Sequence, residues 1–236
     1  PEWKLWDASE VETWNVRRPN WIVKPLIQEG GLGFLHGPPK VRKSLNCLDL
    51  ALHLAQAEDV QWLGKFPCKP VPILYIARED PAWRIKDRAI EIIEGNRWDF
   101  MLPEWLHFQI RERFSLLDLT HISWLRRAIE AQEIKLVILD VLNRMIPGVD
   151  ENAAHDFGRV VDVLEMLNRE LGAALLMLDH DRKMMAGQRN FASGPHELKG
   201  SVAKHGCADF MISVARTNDR NRIQLECGNK DWNKDL

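Results

Sequence analysis

Between residues 33 and 179, short continuous apolar runs alternate with stretches of helical periodicity, and this alternation leaves few folds open. "GLGFLHG" closes a first run at Gly37. From Lys43 to Ala57 the residues Leu45, Leu48, Leu52 and Ala55 then recur at helical spacing. "VPILYIARE" (71–79) is uninterrupted and rich in β-branched and aromatic residues, as a strand buried on both faces requires. Pro81 opens a helix through about Glu94, ended by Gly95. "LHFQI" (106–110) is a weaker strand, and Thr120 to Gln132 reads as a helix with Thr120 as its expected cap. "KLVILD" (135–140) is another buried strand. Asn152 to Leu171 is a long helix with Phe157, Val160, Val161, Leu164 and Leu167 on one side, stopped by Gly172. "AALLMLD" (173–179) completes the alternation, which implies a mainly parallel twisted sheet with helices on both faces. "DFMISVAR" (209–216) and "RIQLEC" (222–227), joined by the turn-rich "TNDRN", predict an antiparallel C-terminal hairpin at the sheet edge. The expected class is therefore α/β.

Residues 1–30 are polar and Trp-rich with no period, and are expected to form an N-terminal arm or lid ahead of one domain spanning 31–236. The chain begins at Pro1 rather than Met, as a piece excised from a longer protein would. Hydrophobic residues make up 45% and charged residues 28%, the balance of an ordinary soluble globular protein. No apolar run reaches the length of a membrane span, so no membrane partner is expected. The four cysteines (Cys47, Cys68, Cys207, Cys227) form no CxxC pair, which points to reduced thiols in a cytoplasmic protein rather than a zinc site. The ten tryptophans are scattered without a repeat period and read as packing residues. A net charge of -2 means that a nucleic-acid partner needs a local basic patch.

"GPPKVRKS" follows the first strand and opens the first helix. In a strand–loop–helix of the form GxxxxGK[ST], backbone N–H groups cradle phosphates, the lysine reaches the outer phosphates and the hydroxyl binds magnesium. The segment Gly37, Pro38, Pro39, Lys40, Val41, Arg42, Lys43, Ser44 and Leu45 is the candidate nucleotide-binding loop. It departs from the pattern at Arg42, where glycine lets the backbone approach phosphate; a side chain pointing outward costs little. A plain βα turn with a chance Lys-Ser is the alternative. Three more strand ends carry polar groups. Asp140 places a carboxylate where, with Ser44, it can hold magnesium. Glu79 can polarise a water for attack on a terminal phosphoryl group, with Asp80 structural, although both acids could simply cap the helix at Pro81. His180 can sense the γ-phosphate beside the glycine-dotted segment that follows, although a lone histidine after a strand can simply be solvated.

Together, "GGLGFLHGPPKVRKS", "YIAREDPAWRIKDR", "LVILDVLNRMIPGVDENAAHDFGRVVDVLEML", "LDHDRK" and "LKGSVAKHGCADFMISVAR" resemble the RecA-like core ATPases. The chain is most similar to the RepA-like hexameric replicative helicase group of the AAA-type ATPase superfamily, over roughly residues 20–231. The resemblance implies a RecA-like P-loop core that binds ATP and Mg2+. It makes Glu79 the catalytic glutamate, Asp140 the Walker B aspartate and His180 the polar sensor, beside Lys43 and Ser44. It also implies that Arg182 and Lys183 begin a loop facing single-stranded DNA; Arg189 falls in the same glycine-dotted loop, where all three could follow a phosphate backbone. Lys230, or Arg216 as a second choice, would reach a neighbouring subunit's site in a homo-oligomer, either a hexameric ring or a filament. Three departures bear on turnover more than on binding: Arg42 for glycine, Asp179 for the first histidine of a pair, and "GNKD" where relatives carry a Lys and Arg pair. Residues 181–230 hold nine Lys or Arg against five Asp or Glu, a local excess that a polyanion partner could use, with a merely solvated loop as the alternative. The expected function is ATP hydrolysis coupled to single-stranded DNA, with a low-turnover nucleotide switch or scaffold as the alternative and a filament-forming recombination protein ranked last.

Overall fold

The computed structural model describes residues 5–15, 20–56, 58, 60–99, 102–151, 153–181, 202–219 and 223–229. In chain order the elements are α1 (Ala8–Val11), β1 (Trp21–Val23), β2 (Ile27–Gln28), β3 (Leu32–Gly37), α2 (Lys43–Leu54), β4 (Val60–Trp62), β5 (Phe66–Cys68), β6 (Ile73–Ala77) and α3 (Ala82–Gly95). They continue as β7 (Leu106–Ile110), α4 (Leu119–Ala131), β8 (Leu136–Asp140), a 3-10 turn (Leu142–Arg144), α5 (Ala154–Leu171), β9 (Ala174–His180), α6 (Val202–Cys207), β10 (Phe210–Arg216) and β11 (Ile223–Asn229).

The main sheet runs β11-β10-β3-β9-β8-β6-β7. Every pairing from β10 to β7 is parallel, and β11 pairs antiparallel with β10 at one edge, as the C-terminal hairpin pattern predicts. Strand residues alternate between two cores because successive side chains leave opposite faces. On one face Ile73, Tyr75, Ile138, Leu176, Leu178 and Ile212 pack with α2 and α3. On the other, Leu74, Ile76, Val137, Leu139, Leu175 and Met177 pack under α4 and α5. The central strands β6, β8 and β9 are thus apolar on both faces until their carboxyl ends, which is why their sequences show runs rather than alternation.

Gly33 and Gly37 allow β10 to lie close against β3. A Cβ on Gly33 would sit 2.4 Å from the Phe210 ring, and one on Gly37 would sit 2.3 Å from the Val214 carbonyl oxygen. At α4 the cap is Asp118 rather than Thr120. Its Oδ1 accepts from the Thr120 N–H at 2.9 Å and the His121 N–H at 3.4 Å, so Thr120 is already inside the first turn. Gly172 ends α5 in the left-handed conformation (φ 61°), where glycine carries no Cβ penalty.

A second, four-stranded antiparallel sheet, β2-β1-β5-β4, lies beside α2. Lys69 N–H donates to the Ile22 carbonyl, and the buried Trp62 ring donates its Nε1–H to Asp49 of α2 at 2.9 Å. Residues 21–28 therefore join the core that packs on α2, with Ile22, Val23, Leu26 and Ile27 fully buried. Among the described residues no helix is long and apolar enough to cross a membrane.

Candidate functional site

Parallel pairing from β10 to β6 brings five carboxyl ends to one sheet edge, and the sequence-selected residues within the described regions gather there. After Gly37 the chain turns through residues 38–42 and starts α2 at Lys43. Lys40 (φ 65°) and Arg42 (φ 65°, ψ 31°) both adopt the left-handed conformation. That is the physical reason the pattern prefers glycine at position 42: the turn needs a geometry that a Cβ disfavours. The Arg42 side chain is exposed, and its carbonyl is well used, accepting from Asn46 N–H at 3.0 Å and Asn46 Nδ2 at 2.8 Å.

Lys43 is buried beneath this loop. Its Nζ donates to the Gly37 and Pro38 carbonyls at 2.8 and 2.9 Å, and lies 3.2 Å from His180 Nδ1. Burial lowers the ammonium's pKa, opposed by the attraction of Asp181, Asp179, Asp140 and Glu79. Gly37 O is shared, because the Asp181 N–H also donates to it at 3.2 Å.

Asp140 ends β8 and is buried. Ser44 Oγ donates to its Oδ1 at 3.1 Å and Tyr75 Oη to its Oδ2 at 2.7 Å. Burial raises its pKa to about 6, with the two hydroxyls pulling the other way and Asp80 and Glu79 adding to the rise. Among the described residues Asp140 makes no ion pair, and its side-chain hydrogen bonds come from these two hydroxyls. A hydroxyl and a carboxylate oxygen are the donors a hard cation such as Mg2+ takes when water and phosphate complete its shell. Ser44 gives its hydrogen to Asp140 and so keeps its lone pairs for such an ion. The residues present therefore fit Mg2+.

Glu79 follows β6 and is exposed; its Oε1 accepts from Arg144 Nε at 3.2 Å. Asp80 is engaged elsewhere, accepting from Arg84 at 2.8 Å and from Arg88, both on α3. Arg216, at the end of β10, donates from Nη2 to the carbonyl of Pro39 in its own loop at 3.3 Å. Arg182, Lys183, Arg189 and Lys230 lie outside the described residues.

Three polar side chains that the sequence analysis did not single out complete the site's foundations. His36, the last residue before Gly37, is fully buried with Nδ1 2.6 Å from Asp181 Oδ1. Lys204 of α6 is fully buried between Glu151 (2.8 Å) and Asp179, with its Nζ 4.8 Å from the centroid of the Phe157 ring. Asp179 is therefore the buried counter-ion of a lysine. Burial raises its pKa while Lys204 lowers it. Tyr75 is the third. Its position in an apolar strand gives no sign that its hydroxyl meets a carboxylate, and the signal that could have found it is register, since Tyr75 sits opposite Ile138, two places from Asp140.

Comparison with known proteins follows the same lines. A family model described as an AAA domain matches residues 2–186. One solved structure, an ATPase domain, superposes with a TM-score of 0.62 at 14% identity, over 85% of this chain and 78% of that one. A KaiC-like protein from the hyperthermophilic archaeon Pyrococcus horikoshii OT3 superposes with a TM-score of 0.57 at 11% identity, over 90% of this chain and 84% of that one. At these identities the likeness is one of fold, a RecA-like P-loop core.

Proposed function

Because the chain belongs to the AAA domain family, we propose that it is a P-loop ATPase that hydrolyses ATP with Mg2+ and couples turnover to single-stranded DNA. The observation that carries this is the convergence of Lys43, Ser44, Asp140, Glu79 and His180 on one sheet edge from four separate strands. Residues 37–45 cradle the phosphates with backbone N–H groups at the start of α2. Lys43 exchanges its carbonyl partners for phosphate oxygens, which the low-dielectric loop makes favourable. Ser44 and Asp140 hold the Mg2+, which when bound neutralises the phosphate charge. Glu79, exposed at the strand end, takes the proton of the attacking water. His180, in contact with Lys43, registers the outer phosphate at the head of the segment that begins at Arg182. The DNA contact through Arg182, Lys183 and Arg189 rests on the family resemblance and the local basic excess, as do a ring or filament and a trans role for Lys230 or Arg216.

A second reading, a nucleotide switch with little turnover, is favoured by the pairing of Glu79 with Arg144, which occupies the oxygen a base needs. Both side chains are about half exposed or more, so that pairing is weak and readily exchanged. ATP hydrolysis with and without single-stranded DNA separates the two. The ATPase reading expects turnover stimulated by DNA, binding lost in Lys43→Ala, and binding kept with turnover lost in Glu79→Gln. Tight binding with no turnover in the wild type decides for the switch, and equal hydrolysis by Glu79→Gln removes Glu79 from its role. Sizing with and without nucleotide tests the oligomer.

A further inference from the structure

We propose that Tyr75 is a positioning residue of the cation site: its hydroxyl holds Asp140 in the one orientation that leaves the carboxylate and Ser44 facing a shared divalent ion. The inference rests on the ATPase reading above and extends it to a residue that contacts neither nucleotide nor cation.

Tyr75 lies in the middle of β6, next to β8, and is 2% exposed. Its ring packs 5.8 Å from that of Phe108, and its hydroxyl ends 2.7 Å from Asp140 Oδ2 and 3.4 Å from the Ser44 carbonyl. A phenol has one hydrogen to give, and the shorter, charge-assisted contact takes it. Asp140 Oδ1 is held from the other side by Ser44 Oγ at 3.1 Å. An aspartate's terminal torsion is broad and roughly two-fold, so an untethered carboxylate samples a range of directions. Here each oxygen is fixed by a hydroxyl from a different element, and rotation breaks both bonds.

The two tethers are not equivalent. Ser44 is half-buried at the loop and is itself a candidate ligand of the ion, whereas Tyr75 is sealed in the core. Whatever Ser44 does when a cation arrives, Tyr75 keeps Oδ2. Partners that orient a metal-binding carboxylate from behind typically change metal affinity 10- to 100-fold when removed. Phenylalanine would fill the same space, so the hydroxyl alone is the variable.

The experiment measures nucleotide affinity as a function of Mg2+ concentration for wild type, Tyr75→Phe, Asp140→Asn and the double variant, with EDTA as the cation-free reference. Tyr75→Phe is expected to weaken Mg2+ about 10-fold or more while changing affinity in EDTA less than about twofold. That EDTA value also reports that the variant is folded. In the Asp140→Asn background, Tyr75→Phe is expected to change nothing further, because its effect passes through Asp140. Unchanged Mg2+ dependence in Tyr75→Phe, or an equal loss in both backgrounds, overturns the role of Tyr75. Wild-type protein that binds nucleotide with no Mg2+ dependence overturns the cation site itself and this inference with it. Tyr75 is the chain's single tyrosine, so tyrosine labelled only at the ring Cζ that carries the hydroxyl gives one labelled resonance in the unmutated protein. That resonance is expected to shift when Mg2+ is added to the nucleotide complex, and an unmoved resonance overturns the proposal even if Tyr75→Phe fails to fold.

Discussion

Replacing Arg42 by glycine should make the protein more stable, and the structure gives the size of the gain. Arg42 holds φ 65° and ψ 31° as the residue before α2. An L-residue with a Cβ there loses roughly 1–2 kcal/mol relative to ordinary regions. Glycine removes that strain but gives the unfolded chain more freedom, returning about 0.4–1 kcal/mol. The side chain is exposed, and the carbonyl bonds to Asn46 survive any substitution. Arg42→Gly should therefore gain about 0–1.6 kcal/mol, centred near about 0.8, a rise in Tm of about 2–3 °C at the centre for a chain of this size. Arg42→Ala is the control, because it keeps a Cβ and hence the strain, and should stay within about 0.5 kcal/mol of wild type. Thermal melts of the three proteins in one buffer decide the matter. If alanine gains as much as glycine, or glycine loses stability, left-handed strain is not what Arg42 costs. Nucleotide affinity gives the second axis: loss of the positive charge should weaken binding equally in both variants at low salt, and the loss should fade as salt rises.

Three other outcomes follow from the same geometry. The Asp140 pKa is raised to about 6 from an ordinary 3.8, so between those pH values the native state keeps a proton that the unfolded chain has lost. Stability attributable to this group therefore falls as pH rises through that window, and Asp140→Asn should be more stable than wild type above pH 6 by up to about 3 kcal/mol, converging near pH 4 in denaturant titrations. Lys204→Met leaves Glu151 and Asp179 buried without their cation and should cost about 3–5 kcal/mol, most of it recovered when Glu151→Gln and Asp179→Asn are added; a mild single variant would refute the buried pairing. Gly33→Ala drives a methyl group into Phe210 and should destabilise by about 1–3 kcal/mol in chemical denaturation, and a neutral result would mean β10 does not lie against β3 as described.

The parts of the fold legible in sequence are those where one physical requirement acts over many residues. β6, β8 and β9 are buried on both faces, so "ILYIA", "LVILD" and "ALLMLDH" stand out as runs, and the helices between them follow. The sheet of β1, β2, β4 and β5 leaves no trace because strands of two or three residues are shorter than any period. Thr120 is the cap the sequence suggests for α4, yet Asp118 does the capping: both are good N-caps two residues apart, and only the backbone shows where the helix begins. At the site, Lys43, Ser44 and Asp140 are legible because their spacing and strand context are local. Lys204 is not, since a lysine in a glycine-dotted stretch looks solvated until two carboxylates from distant segments close over it. The Arg42 departure is visible as a letter, but its conformation is not.

The order of strands also sets the order in which the site can be made. β3 is an early strand in the chain, yet it lies inside the sheet between β9 and β10. Its two flanks are supplied by residues 174–180 and 210–216, so the strand that leads into residues 37–45 lacks its full pairing until residue 216 has been made. Until then Gly33 and Gly37 present a bare, glycine-smoothed edge with free N–H and C=O groups, open to any other extended chain. Such distant pairing is slow to form, and a fragment ending after β9 would keep the loop, the lysine and the carboxylates but leave their strand at a sheet edge. Phe210 and Val214, which lie against Gly33 and Gly37, thereby act as the closing pieces of the candidate nucleotide loop.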